Sequence, residues 1–303
     1  MLDLARETVR DGRMAAVGTL GAMTSTRVGV VTDSTAYLPA GVAAEYGIVV
    51  VPLQVRLGDE SYLEGVDLTP SDFAAWIKVP GHRPLTSRPS PAAFADAYAS
   101  VDADQIVSVH MSGRLSGTAG GARLAAEQLT DRSVVVVDSR NTAMGLGFAV
   151  IAAARAAADG GTAAQVAAAA ERAASRTRTV FYLDTLEHLR RGGRVGKTAA
   201  MLGGALSVKP LLDVVDGDIA PLEKVRTSSK AVARLVEIAA LTAGRGAVDI
   251  AVHHLAAPEP ARRVAAELCD AIPELRTLME SELGPVVGAH VGPGCLGIVI
   301  HHR

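Results

Sequence analysis

Aromatic side chains are scarce in this 303-residue chain: one Trp, four Phe and five Tyr make up 3% of it. The core must therefore be aliphatic, and so must the lining of any apolar pocket, since Val, Leu, Ile and Ala have to serve both. Cysteine is scarcer still. Cys269 and Cys295 form no CxxC pair, which argues against a disulfide framework and fits a reducing, cytoplasmic setting. An excess of one charge is also lacking, with 30 basic against 32 acidic residues spread without long like-charge blocks. No nucleic-acid partner is expected from that balance. The longest apolar runs, such as GLGFAVIAAA at 145–154, are cut by charge well short of the roughly 18 to 20 residues of a spanning helix. No membrane integration is expected, and no cleavable leader is read at the start.

What is present is a large apolar fraction, 49%, with net charge −2, enough for two ordinary domains. Residues 1–26 show weak periodicity, with Met14 and Met23 as alternative starts, and are read as an N-terminal extension. Beyond them, apolar runs alternate with alanine-rich helical stretches: RVGVVTDST at 27, GIVVVPLQVRL at 47, QIVSVHMS at 105 and SVVVVDS at 133. Continuous apolar strands between helices predict a parallel sheet covered on both faces. Three runs end in polar clusters, Asp33-Ser34-Thr35, Ser112-Gly113 and Asp138-Ser139, so a ligand rim is expected at the carboxyl ends of the strands. After two helical stretches, 141–158 and 162–176, the pattern changes to a hairpin turning at Asp216-Gly217, a strand at VDIAVHHLA and a helix from about Pro258 to Ala271. The fold class is α/β. A three-layer α/β/α domain with a parallel sheet over 27–170 precedes a mixed-sheet α/β domain over 171–303.

Four stretches carry candidate chemistry. HMSGRLSGTAGG at 110–121 is a glycine-rich strand-to-helix turn that lacks the lysine of a nucleotide loop and the G-x-S-x-G of a hydrolase elbow. It leaves Ser116 and Gly117 beside backbone amides, either as a seat for a carboxylate or modest phosphate or as a helix cap with glycines for close packing. RPLTSRPSP at 83–91 offers Thr86, Ser87 and Ser90 on a proline-stiffened chain, with Ser90 and Pro91 expected to open a helix. LDTLEHLRRGGRVGKTAAMLGGALSVKPLL at 183–212 gathers Arg190, Arg191, Arg194 and Lys197, as a solvated basic edge or a docking face. GPVVGAHVGPGCLG at 284–297 holds His290 in a turn of small residues. His253-His254 and His301-His302 lack matching ligands, so no metal is expected.

Taken together and in order, VTDST, TSRPSP, SGRLSGT, VDS, LRRGGRVGKT, SVKPLL, KVRT and GPVVGAHVGPG resemble the DegV family of fatty-acid-binding proteins from about residue 27 to 303. The resemblance implies one long-chain fatty acid, palmitate for example, held between two domains as a ligand, with no cofactor. It places carboxylate ligands at Thr86, Ser116 and His290, with Ser87, Gly117, Arg194 and Arg226 as secondary candidates. Arg226 matches an arginine implicated in work with a partner kinase. It further implies a non-enzymatic carrier in fatty acid metabolism that presents its acid to a separate ATP-binding fatty acid kinase subunit for acyl-phosphate formation. Arg88, Leu85 and Ala119 depart from the family pattern but leave the core hydroxyls in place. With hydroxyl donors and no cationic clamp, the acid would keep nucleophilic oxygens. Two other readings remain open: a serine-type acyl hydrolase using Ser116, His290 and an acid such as Asp33, and a phosphometabolite-binding module on the same glycine turn.

Overall fold

A computed structural model describes residues 27–194, 196 and 208–303. The extension at 1–26 and Lys197 of the basic stretch lie outside the described residues. β1 (Val28–Asp33) leads through the short α1 (Val42–Glu45) to β2 (Val49–Val51). The apolar run at 47–57 reads as one strand but is two, β2 and β3 (Gln54–Leu57), in different sheets. Pro52 lies at the break, where it has no N–H to give to a ladder. β4 (Glu60–Leu63) pairs antiparallel with one edge of β3; α2 (Pro70–Ile77) follows, and β5 (Leu85–Ser87) pairs with the other edge. The hydroxyl stretch expected as a cap and turn is therefore partly a strand. Its end behaves as expected: Ser90 Oγ accepts from the Ala93 N–H and Pro91 opens α3 (Pro91–Ser100).

β6 (Gln105–His110), α4 (Thr118–Gln128), β7 (Ser133–Asp138), α5 (Met144–Ala158) and α6 (Ala163–Ser175) complete the first half. Its main sheet runs β2-β1-β6-β7 with every pairing parallel. Phe94, Tyr98, Ala122 and Ala125 cover one face from α3 and α4, and Leu146, Val150, Val166 and Ala170 cover the other from α5 and α6. The alanine tract at 163–174 is the buried stripe of α6, opened by a capping box between Thr162 and Gln165.

The second half begins with β8 (Thr177–Tyr182) and α7 (Glu187–Arg191), followed by the hairpin of β9 (Lys209–Val215) and β10 (Asp218–Val225). Asp216 and Gly217 both have positive φ, 52° and 82°, as a two-residue hairpin loop that follows the strand twist requires. α8 (Ser228–Ala243), β11 (Val248–His254), α9 (Pro258–Ala271), β12 (Leu275–Glu282), α10 (Pro285–Val291) and β13 (Leu296–His302) follow. The sheet order is β10-β9-β8-β13-β11-β12, with β11 and β12 parallel and the other pairs antiparallel. Alternation along the strands sends Val180, Tyr182, Ile298 and Ile300 toward α8 and α9. It leaves Thr179, Phe181, Gly297 and Val299 on the face that meets the first half.

Polar bonds fix that meeting. Ser112 Oγ donates to the Gly217 carbonyl at 2.6 Å, Thr179 Oγ1 to Asn141 Oδ1 at 2.7 Å, and the Met144 N–H to His253 Nε2 at 3.2 Å. The carboxyl-end rim of the parallel sheet thus faces the second sheet across a shared, largely apolar seam.

Candidate ligand-binding site

In that seam lies a cavity with an empty volume of about 920 Å³, counting the open space at its mouth. Its floor is the inner face of the second sheet, Thr179 and Phe181 of β8 with Gly297 and Val299 of β13. Leu53, Met111, Leu115, Leu189, Ile219 and Leu283 supply aliphatic walls, as the low aromatic content requires. Thr86, Ser87, Ser116, Arg194 and His290 all line it, although they come from β5, the turn before α4, the turn after α7 and the last turn of α10. Gly117 is not in the wall; its Cα packs against the Arg88 side chain, and Arg88 lines the mouth. Arg226 is exposed beyond the end of β10 and outside the cavity.

His290 and Thr86 form the polar centre. His290 Nε2 lies 2.9 Å from Thr86 Oγ1. Its Nδ1 is buried against Gly192, with no hydrogen-bond partner among the described residues. Burial pushes the His290 pKa down to about 4, helped by the positive charges of Arg194 and His188, so the ring is neutral near pH 7. A neutral imidazole carries one proton. Placing it on Nδ1 would orphan a buried N–H; placing it on Nε2 gives it to Thr86 Oγ1 and leaves only a lone pair beside Gly192. In that tautomer the Thr86 hydroxyl proton is released to point into the cavity. His290, expected in a turn, is thus helical, and acts on Thr86 as well as on whatever occupies the site.

The His290 ring explains the first of the paired glycines of LRRGG, Gly192. It has ordinary helical angles, φ −72° and ψ −7°, so its backbone does not need glycine. A Cβ there would overlap the His290 ring. Arg194, two residues on, donates from Nε to the Leu115 carbonyl at 3.0 Å and from a terminal nitrogen to the Gly192 carbonyl at 2.6 Å. It ties the Ser116 turn to the His290 support and puts a guanidinium in the wall. The expected absence of a cationic clamp is corrected here: Arg194 and Arg88 both bring positive charge to the hydroxyl cluster.

No Ser116–His290–Asp33 relay is assembled. Ser116 Oγ pairs with Thr118 Oγ1 at 2.8 Å. Asp33 instead accepts from the Met111 N–H at 3.0 Å and pairs with His110 Nδ1 at 3.0 Å, in a fully buried network that continues through Ser108 to Tyr98. This network locks the carboxyl ends of β1 and β6, where the strand order turns, and braces the HMSG stretch.

Glu64, on which sequence reasoning had no purchase, holds α10. Its carboxylate accepts from Ser34 Oγ at 2.6 Å, Tyr37 Oη at 3.1 Å and the Val286 N–H at 2.8 Å, and the residue is 3% exposed. Burial raises its pKa, while the three donors act in the opposite direction. The helix bearing His290 is therefore fastened to the first half through an acid that faces no cation in this network.

A family model described as "Uncharacterised protein, DegV family" matches residues 27–303. A DegV domain-containing protein of Streptomyces coelicolor is 51% identical over 92% of this chain and 100% of its own. Among solved structures, a DegV family protein from Thermus thermophilus described for its fatty acid binding has a TM-score of 0.85 at 33% identity, covering 91% of this chain and all of that one. DegV of Bacillus subtilis, described as a fatty acid binding protein, has a TM-score of 0.85 at 32% identity over 92% of this chain and all of its own.

Proposed function

Because the chain belongs to the DegV family, we propose that it holds one long-chain fatty acid in the seam cavity, between a first domain that closes with α6 and a second that opens with β8. The observation that carries this reading is an aliphatic cavity bordered by a hydroxyl cluster, Thr86 and Ser116, with His290 and Arg194 beside it. Burying a sixteen-carbon chain removes roughly fourteen methylenes from water at about 0.8 kcal/mol each, a gross gain near 11 kcal/mol before ordering costs. The carboxylate opposes burial by several kcal/mol unless donors satisfy it, each worth about 1.5 to 3 kcal/mol to a charged group. Thr86, its proton freed by His290, supplies one, Ser116 a second, and the Arg194 guanidinium in the same wall adds positive charge that favours the ionised form.

Presentation of the bound acid to a separate ATP-dependent kinase, for acyl-phosphate formation, extends this reading. On this reading the carboxylate end sits beside Ser87 and Arg88, two exposed residues of the cavity lining, which leaves it within a partner's reach. The chain then acts as a cytoplasmic carrier. Its unpaired Cys269 and Cys295 are consistent with such a compartment.

The test is fluorescence or calorimetric titration of delipidated protein with palmitate, comparing the wild type with Thr86→Val/Ser116→Ala. A loss of at least about tenfold in affinity is expected from two charge-assisted donors. Unchanged affinity and stoichiometry in the double variant would remove the head-group assignment.

A further inference from the structure

The floor of the cavity has a gap in it. Gly297 stands inside β13, paired with Phe181 of β8 on one side and His253 of β11 on the other, so the three positions share the face turned to the first half. All three line the cavity. Glycine weakens a strand interior, and there it often marks the close approach of a ligand or of another backbone.

Neither the backbone nor the packing asks for glycine here. Gly297 does not have a positive φ, and a Cβ would stand 3.6 Å from Phe181 Cβ and 3.8 Å from His253 Cβ, ordinary contact distances. The nearest atoms all belong to the flanking strands, and nothing from the first half comes closer. Gly192 and Gly288 differ, since a Cβ on either would press into a ring, that of His290 or that of Phe73. The gap also has a fixed side. His253 Nε2 accepts from the Met144 N–H at 3.2 Å and its Nδ1 pairs with Ser281 Oγ at 2.9 Å, so the ring cannot lean over Gly297 without losing both.

Cys295, Gly297 and Val299 line the cavity in succession, over about 13 Å of strand. Cys295 belongs to the apolar cluster of Leu189, Ala289 and Val291, the last two flanking His290 on α10, whereas Val299 belongs to one with Met144 and Phe148 of α5. An acyl chain whose carboxylate sits at Thr86 and Ser116 crosses Gly297 to reach the α5 end. We infer that Gly297 determines the acyl-chain length the protein accepts, because its missing side chain leaves the passage between Phe181 and His253 through which the distal methylenes run. This rests on the fatty-acid reading and adds to it the residue that separates long acids from short ones.

The test titrates delipidated protein with decanoic, dodecanoic, tetradecanoic and hexadecanoic acids, using the wild type, Gly297→Ala, Gly297→Val and Thr86→Val/Ser116→Ala, and follows the urea unfolding of each. In the wild type, affinity is expected to rise with length through hexadecanoic acid. Gly297→Val is expected to shift the ratio of hexadecanoic to decanoic affinity at least about tenfold toward the shorter acid, with an unfolding midpoint no lower than that of the wild type. Gly297→Ala is expected to shift the ratio in the same direction by less, and decides the question should the valine variant not fold. The head-group variant is expected to weaken every length by a common factor. An unchanged ratio in the Gly297 variants would overturn the inference, whether their overall affinity holds or falls. Should the wild type bind no acid of any length, the fatty-acid reading itself fails, and this inference with it.

Discussion

His290 Nε2 lies 2.9 Å from Thr86 Oγ1, across 204 residues of sequence and between the two halves of the molecule. The pair acts as a unit, because the imidazole decides which way the hydroxyl proton points. Thr86→Val and His290→Ala should each weaken fatty acid binding by about tenfold, and the double variant should be little worse than either alone. Calorimetry on all four proteins measures the coupling; additive losses would mean that the two residues serve the ligand independently.

Gly192 should tolerate no side chain. Its backbone is helical, so Gly192→Ala carries no conformational penalty, and any effect must come from the Cβ pushing the His290 ring. Overpacking of this kind costs about 1 to 3 kcal/mol. A lowered unfolding midpoint and weaker binding are expected together, measured by denaturant unfolding and titration. A substitution with wild-type binding would show that His290 moves without consequence.

Acid should destabilise the ligand-free protein in a defined window. Burial holds His253 and His290 at a pKa of about 4 in the folded state, below the ordinary 6.5. The unfolded chain therefore takes up protons first as the pH falls, and stability present above 6.5 is lost between 6.5 and 4. The loss is at most about 3 kcal/mol for each ring. Urea unfolding across that range checks it, and His290→Gln should flatten the slope.

Glu64 should work in the opposite direction. Its folded pKa is raised, so its contribution is full below the unfolded value near 4.5 and is lost as the pH rises through the folded one. Glu64→Gln, which keeps an acceptor for the Val286 N–H, should remove that loss and leave α10 in place. Glu64→Ala should instead strand the Val286 N–H and the Ser34 and Tyr37 hydroxyls, at about 1 to 3 kcal/mol, and speed hydrogen exchange in α10.

The sheets were legible because their signals are local. Unbroken apolar runs marked β1, β6 and β7 as parallel strands, and Asp216-Gly217 marked the hairpin. Thr86, Ser116 and His290 were legible only through their place in ordered motifs. What stayed hidden depends on distant pairing. Glu64 sits in the turn-like SYLEGVDL, and nothing there says that it is buried beneath α10. β12 lies in a mixed apolar and charged stretch, and its strand exists because β11 pairs with it in parallel. Arg194 reads as one of several cations in a basic stretch; its two bonds to main-chain carbonyls single it out.

Fatty acid binding is read most directly by mass spectrometry of the small molecules extracted from the purified protein. Close to one equivalent of a long-chain fatty acid per chain is expected, lost in parallel with affinity in Thr86→Val/Ser116→Ala. A phosphorylated metabolite in its place, or no acyl ligand together with no binding of added fatty acid, would contradict it.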